Sequence, residues 1–103
     1  MESYLNTYPQ GHFAMNAEYW LGELYLLNSD ETTAKKHFSH VVANYPHQAK
    51  VADAMLKLGM IATDASDWNE AKRQFNAVIK QYPNSSSARL AQQNLQKLNQ
   101  TQG

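Results

Sequence analysis

The chain has 103 residues, nine basic and nine acidic side chains, and no cysteine. That length fits one compact unit or a few stacked repeats, the zero net charge leaves no electrostatic footprint for nucleic acid or anionic lipid, and the missing thiols exclude disulfides, thiolate metal sites and a cysteine nucleophile. No apolar run reaches the roughly 18 residues that span a bilayer, and the N-terminus lacks a basic segment followed by an apolar stretch, so direct membrane insertion is not expected.

All three prolines follow a tyrosine, in Tyr8-Pro9, Tyr45-Pro46 and Tyr82-Pro83, and the pairs recur every 37 residues. A fixed period of this size marks a repeat array. The same step carries Ala17 onto Ala54 and Ala91, Leu21 onto Leu58 and Leu95, Gly22 onto Gly59, Ala34 onto Ala71, Phe38 onto Phe75 and Val41 onto Val78. Met1 to Tyr8 reads as the end of a second helix, with Tyr4 and Leu5 aligned on Val41 and Val42, so a partial repeat over 1–9 and a chain cut from a larger protein are expected.

A first helix from Phe13 to Leu27 is predicted to bury Ala17, Leu21, Leu24 and Tyr25. Asn28-Ser29-Asp30 then offers side-chain oxygens to the free N–H groups of a second helix. Its Ala34, Phe38, Val41, Val42 and Tyr45 fall at i, i+4, i+7, i+8 and i+11, one apolar stripe. Tyr45-Pro46 ends it, because proline disfavours helical geometry in the residue before it. A third helix from Gln48 to Ala65 buries Ala54, Leu58, Ile61 and Ala62. Ser66-Asp67 breaks it, and Asp67 with Glu70 forms a variant capping box. Ala71, Phe75, Val78, Ile79 and Tyr82 repeat the stripe in a fourth helix. A last helix over 86–99 turns Ala88, Ala91, Leu95 and Leu98 inward and caps the stack, and Thr101 to Gly103 are expected to fray.

A glycine in the first helix of each pair, an alanine opening the second, an aromatic four residues later and a proline at the exit resemble the tetratricopeptide pattern. Gly22, Ala34, Phe38 and Pro46 carry it once, and Gly59, Ala71, Phe75 and Pro83 carry it again. The resemblance implies an all-α, right-handed superhelix of about two and a half helix pairs plus a capping helix, with repeats over 15–48 and 52–85 inside a single domain over 1–100. Small residues are demanded where the paired helices cross, since a bulky one costs about 1–3 kcal/mol in overpacking.

The period exceeds the usual repeat of about 34 residues. Together with Ala17-Glu18-Tyr19-Trp20-Leu21-Gly22, Val41-Val42-Ala43-Asn44-Tyr45-Pro46 and Lys50-Val51-Ala52-Asp53-Ala54-Met55-Leu56, this is similar to the C-terminal domain of the CpoB (YbgF) family of the bacterial Tol-Pal system. That resemblance implies a periplasmic, non-enzymatic interaction module without cofactors. It further implies binding to TolA, coordination of outer-membrane constriction with the peptidoglycan synthase machinery at the septum, and, in the full-length protein, a signal sequence and a trimerising N-terminal coiled coil.

Chemistry-bearing groups are sparse. His37 and His40 stand at i, i+3, a spacing that can place two imidazoles on a metal, but no third ligand is evident and a solvated flank explains them. No nucleophile neighbours a base, and no pair of carboxylates converges. Ser85, Ser86 and Ser87 read as a helix start, and the four glycines are too scattered for a phosphate loop. An enzyme is therefore not expected, and no metal site is assigned.

The surface remains. Tetratricopeptide repeats line a concave face with their first helices, and the resemblance turns Asn16, Tyr19, Glu23 and Leu26 of the first repeat there, followed by Asp53, Leu56, Met60 and Thr63, and then Leu90, Gln93 and Lys97. Aromatic and flexible apolar anchors within a polar rim suit a partner segment, and packing between helices is the alternative for each residue. Trp20 is expected to be poorly covered, as a partner anchor or as a contact for a preceding repeat, whereas Trp68 is expected between repeats. Two other jobs for the same frame are a scaffold of an outer-membrane assembly complex, similar to BamD, and a clamp for a C-terminal carboxylate. The clamp needs lysine and asparagine where Tyr19 and Glu23 stand.

Overall fold

The computed structural model describes residues 12–45 and 49–102. Five helices follow one another: α1 (His12–Leu27), α2 (Glu31–Asn44), α3 (Ala49–Asp64), α4 (Trp68–Gln81) and α5 (Ser86–Gln102). No strand occurs among the described residues. Repetition extends to length: α1 and α3 have 16 residues each, and α2 and α4 have 14 each. The expected partial repeat over 1–9 lies outside the described residues. The last helix runs past the expected end at Asn99, because no proline or glycine stops it before Gly103.

The turns inside the two pairs are built alike. Asp30 N–H donates to the Tyr25 carbonyl at 2.8 Å and Asp67 N–H to the Ala62 carbonyl at 2.8 Å, each closing the preceding helix with a six-residue ring. Closure requires a left-handed residue just before, and Ser29 (φ 64°) and Ser66 (φ 61°) take that role. Each aspartate then caps the next helix, accepting from Thr33 N–H at 3.1 Å and from Glu70 N–H at 3.4 Å. The anticipated capping box is only half made. The Glu70 carboxylate turns instead to the Arg73 guanidinium at 2.9 and 2.7 Å and to Gln74 at 2.8 Å, since a forked charged donor outcompetes a backbone amide.

Within each pair the helices cross where a side chain is missing. The Phe38 ring lies over Gly22 and the Phe75 ring over Gly59, so close that a methyl group would come within 2.8 Å and 2.5 Å of ring carbons. Both phenyl groups are fully buried with Ala34, Val41, Ala71 and Val78. Burial of each ring removes enough apolar surface to stabilise the fold by about 1.5–3 kcal/mol.

Pairs join through α2 on α3 and α4 on α5, while α1, α3 and α5 also touch in series. α2 and α4 are not joined comparably, so the first helices converge on one side of an elongated body of 53 × 30 × 17 Å. Between pairs, the buried Ser87 hydroxyl donates to the Asp53 carboxylate. Every residue predicted to be buried in α3 is buried. In α1 the outcome differs: Ala17, Leu21, Leu24 and Tyr25 are all exposed. The reason is positional: α2 lies on this face of α3, whereas on α1 the His37 ring stacks on Tyr25 and leaves Leu21 and Leu24 exposed.

Candidate functional site

Where α1 meets α3, a cleft of about 350 Å³ opens, lined by Trp20, Glu23, Leu24, Leu26, Leu27 and Lys57. Its apolar walls follow from helical spacing, since residues 20, 24 and 27 stack along one side of α1. Trp20 and Leu24 are each 55 % exposed and Leu27 is 81 % exposed, which is costly in water for side chains with no functional use of that surface. At the rim, Lys57 Nζ lies 3.3 Å from a Glu23 carboxylate oxygen, a half-buried ion pair that ties α3 to α1.

Behind the cleft stands an aromatic wall. The Tyr19 ring meets Trp20 edge-on with centroids 5.7 Å apart, and it meets Phe38 at 5.4 Å. The Lys50 ammonium sits 4.9 Å from the Tyr19 centroid and 5.8 Å from that of Trp20. Burial, together with the Glu23 and Asp53 charges, pushes the Tyr19 phenol well above its ordinary range, so it remains a neutral hydroxyl. A second, smaller cleft of about 180 Å³ lies between α3 and α5, lined by Thr63, Trp68, Asn94, Lys97 and Leu98. One repeat step relates the two: Leu26 maps onto Thr63 and Lys57 onto Asn94.

Of the residues the sequence placed on the concave face, Trp20, Glu23 and Leu26 come together in the larger cleft, and Thr63 and Lys97 line the smaller one. Tyr19 and Leu56 are buried, so they form the wall behind the surface. Asp53 is half-buried and holds Ser87, and Asn16 is half-buried on α1. Met60, Leu90 and Gln93 are exposed on α3 and α5 and line neither cleft. Sequence reasoning missed Leu24, Leu27 and Lys57. For Leu27 a signal existed, because its repeat counterpart is the charged, exposed Asp64.

The two histidines weighed for metal binding face a carboxylate from the partner helix. His37 Nδ1 pairs with Glu18 Oε2, His40 Nδ1 lies 3.5 Å from Glu18 Oε1, and the His37 ring stacks on Tyr25 with centroids 5.4 Å apart. This cluster fastens α1 to α2. Among the described residues no group of three His, Cys, Asp or Glu side chains has a geometry that holds a metal ion, and no helix is long and apolar enough to cross a membrane.

No curated protein matches the chain with significance. The family model for the tetratricopeptide repeat matches residues 16–47 and 53–85, which correspond to the two helix pairs described above. Such repeats serve generally as non-enzymatic scaffolds for protein–protein interaction. With two matched repeats, repeated turns and paired helices in register, this chain belongs to the tetratricopeptide-repeat family.

Proposed function

We propose that this chain is a periplasmic docking module of the Tol-Pal type that holds a segment of TolA in the cleft between α1 and α3, and so helps couple outer-membrane constriction to septal peptidoglycan synthesis. The observation that carries the docking site is the exposed trio Trp20, Leu24 and Leu27 beside the Glu23–Lys57 pair. An apolar floor within a polar rim is the composition of an interaction hot spot, and tryptophan is the residue type most often found at its centre. The choice of partner and compartment rests on the likeness of the Ala17–Gly22, Val41–Pro46 and Lys50–Leu56 stretches to the CpoB family.

Calorimetric titration of TolA into the chain tests both halves. Trp20→Ala and Leu24→Asp each weaken binding by about 30-fold, the effect of losing a hot-spot side chain, while the helical circular-dichroism melt is unchanged. Wild-type affinity in both variants removes the cleft from the interface. No heat with the wild-type chain removes TolA.

A further inference from the structure

Charge is not spread evenly over the helices. Beyond their first turns, over 32–44 and 71–81, α2 and α4 hold Lys35, Lys36, Lys72, Arg73 and Lys80 and no acidic residue, whereas α1 holds Glu18 and Glu23 and no lysine or arginine. One repeat step carries Lys35-Lys36 onto Lys72-Arg73, so the basic doublet recurs on both second helices, away from the row of first helices. Between α2 and α4 a crevice of about 280 Å³ reaches down to α3. Its bottom is apolar, made by the buried Met55 and Leu58 with Val42 and Ala77 above them, and Ser39 and Gln81 line it as well.

Helical spacing puts cations on both rims. Lys35 precedes Ser39 by one turn on α2, and Lys80 follows Ala77 by one turn on α4. Among the described residues Lys35, Lys36 and Lys80, all exposed, have no carboxylate within ion-pair distance. Arg73, which lines the crevice, gives Glu70 two N–H groups of its fork, and with its side chain 69 % exposed the others face water. Glu70 is engaged by Arg73 and Gln74, which leaves the lysines as the uncompensated charges of this face. We propose that the α2–α4 crevice is a second docking surface, independent of the cleft between α1 and α3, and that it takes an acidic protein segment. Carboxylates lie along the lysine rims and an apolar side chain sits over Met55 and Leu58. Charge complementarity fixes the sign of the partner. The apolar bottom favours a peptide over nucleic acid, whose regular phosphates call for a continuous basic track.

An amide NMR titration with the acetylated peptide Glu-Asp-Leu-Glu-Asp-Leu-Glu-Asp tests this. The largest shifts fall at residues 35, 36, 39, 77, 80 and 81, and the peptide with Gln and Asn in place of Glu and Asp produces none. Lys35→Glu/Lys80→Glu weakens binding by about tenfold or more with the circular-dichroism melt unchanged, because both side chains are exposed. Salt at about 0.5 M weakens it similarly by screening. Trp20→Ala leaves the titration as it is, which separates this surface from the cleft. Absence of shifts on this face in the wild-type chain overturns the proposal, as does equal binding of the neutral peptide. An oligo-dT strand that moves the same amides at lower concentration than the peptide also overturns it, and assigns the face to nucleic acid.

Discussion

The pairs α1–α2 and α3–α4 share one backbone plan and differ in what surrounds it. Both turn through a left-handed serine, both cap with aspartate, and both press a phenylalanine onto a glycine. Yet α3 is buried on two sides, by α2 and by α4 and α5, while α1 leaves Leu21, Leu24 and Leu27 exposed. Polar fastenings diverge as well. Where the first pair joins Glu18 to His37 and His40, the second has Met55, Gln74 and Ala77 at the same repeat positions. Place in the stack sets burial, and the freedom this leaves at α1 is where an interaction surface can be built without harming the core.

That contrast is broken most sharply by truncating equivalent residues. Ile61→Ala, inside the stack, is expected to cost about 2–5 kcal/mol in urea unfolding. Leu24→Ala, at the equivalent position on α1, should cost below about 0.5 kcal/mol, because its side chain is already in water. Equal losses would mean that α1 is as covered as α3.

A smaller effect separates the two glycines. Adding a methyl group at Gly59 or Gly22 drives it into a buried ring, at a cost of about 1–3 kcal/mol that the better helix propensity of alanine offsets by about 1 kcal/mol. Gly59→Ala should destabilise more than Gly22→Ala, since the approach is 2.5 Å against 2.8 Å. A gain in melting temperature for both would show that the rings move aside freely.

The smallest effect is a pH dependence centred on Glu70 of the second pair. Burial opposes ionisation of Glu70, but hydrogen bonds from Gln74 and Arg73, and the Arg73 and Lys35 charges, outweigh it and hold the carboxyl below its ordinary range. A depressed folded-state pKa adds stability above the unfolded value of about 4.3, and that contribution is lost as pH falls through the folded value. Its repeat counterpart is Thr33, which does not titrate. Glu70→Gln should therefore flatten the stability profile below about pH 4.5, measured by urea midpoints. An identical profile would show that the Arg73 contact adds nothing in solution.

Much of the fold was legible because the 37-residue step repeats both the breaks and the stripes. Tyr45 and Tyr82 close helices that Asp30 and Asp67 open, by local chemistry that needs no knowledge of neighbours. Burial along α1 was not legible in the same way. Periodicity reports that Ala17, Leu21 and Leu24 share a face, but only the stack decides whether something lies on it. For the same reason the cleft was read in part. Trp20, Glu23 and Leu26 were placed by the repeat pattern, whereas Leu24 was assigned to the core by its period and Lys57 enters through a contact between residues 34 apart. The Glu18–His37 pairing, across 19 residues, had no local signature either.

The most direct test maps the partner onto the backbone. In a two-dimensional amide NMR titration with TolA, the largest shifts should fall at residues 20, 23, 24, 27 and 57, with the outer faces of α2 and α4 silent. Shifts concentrated on the Lys35, Lys36, Ser39 and Ala43 side of α2 would contradict the docking of a partner between the first helices.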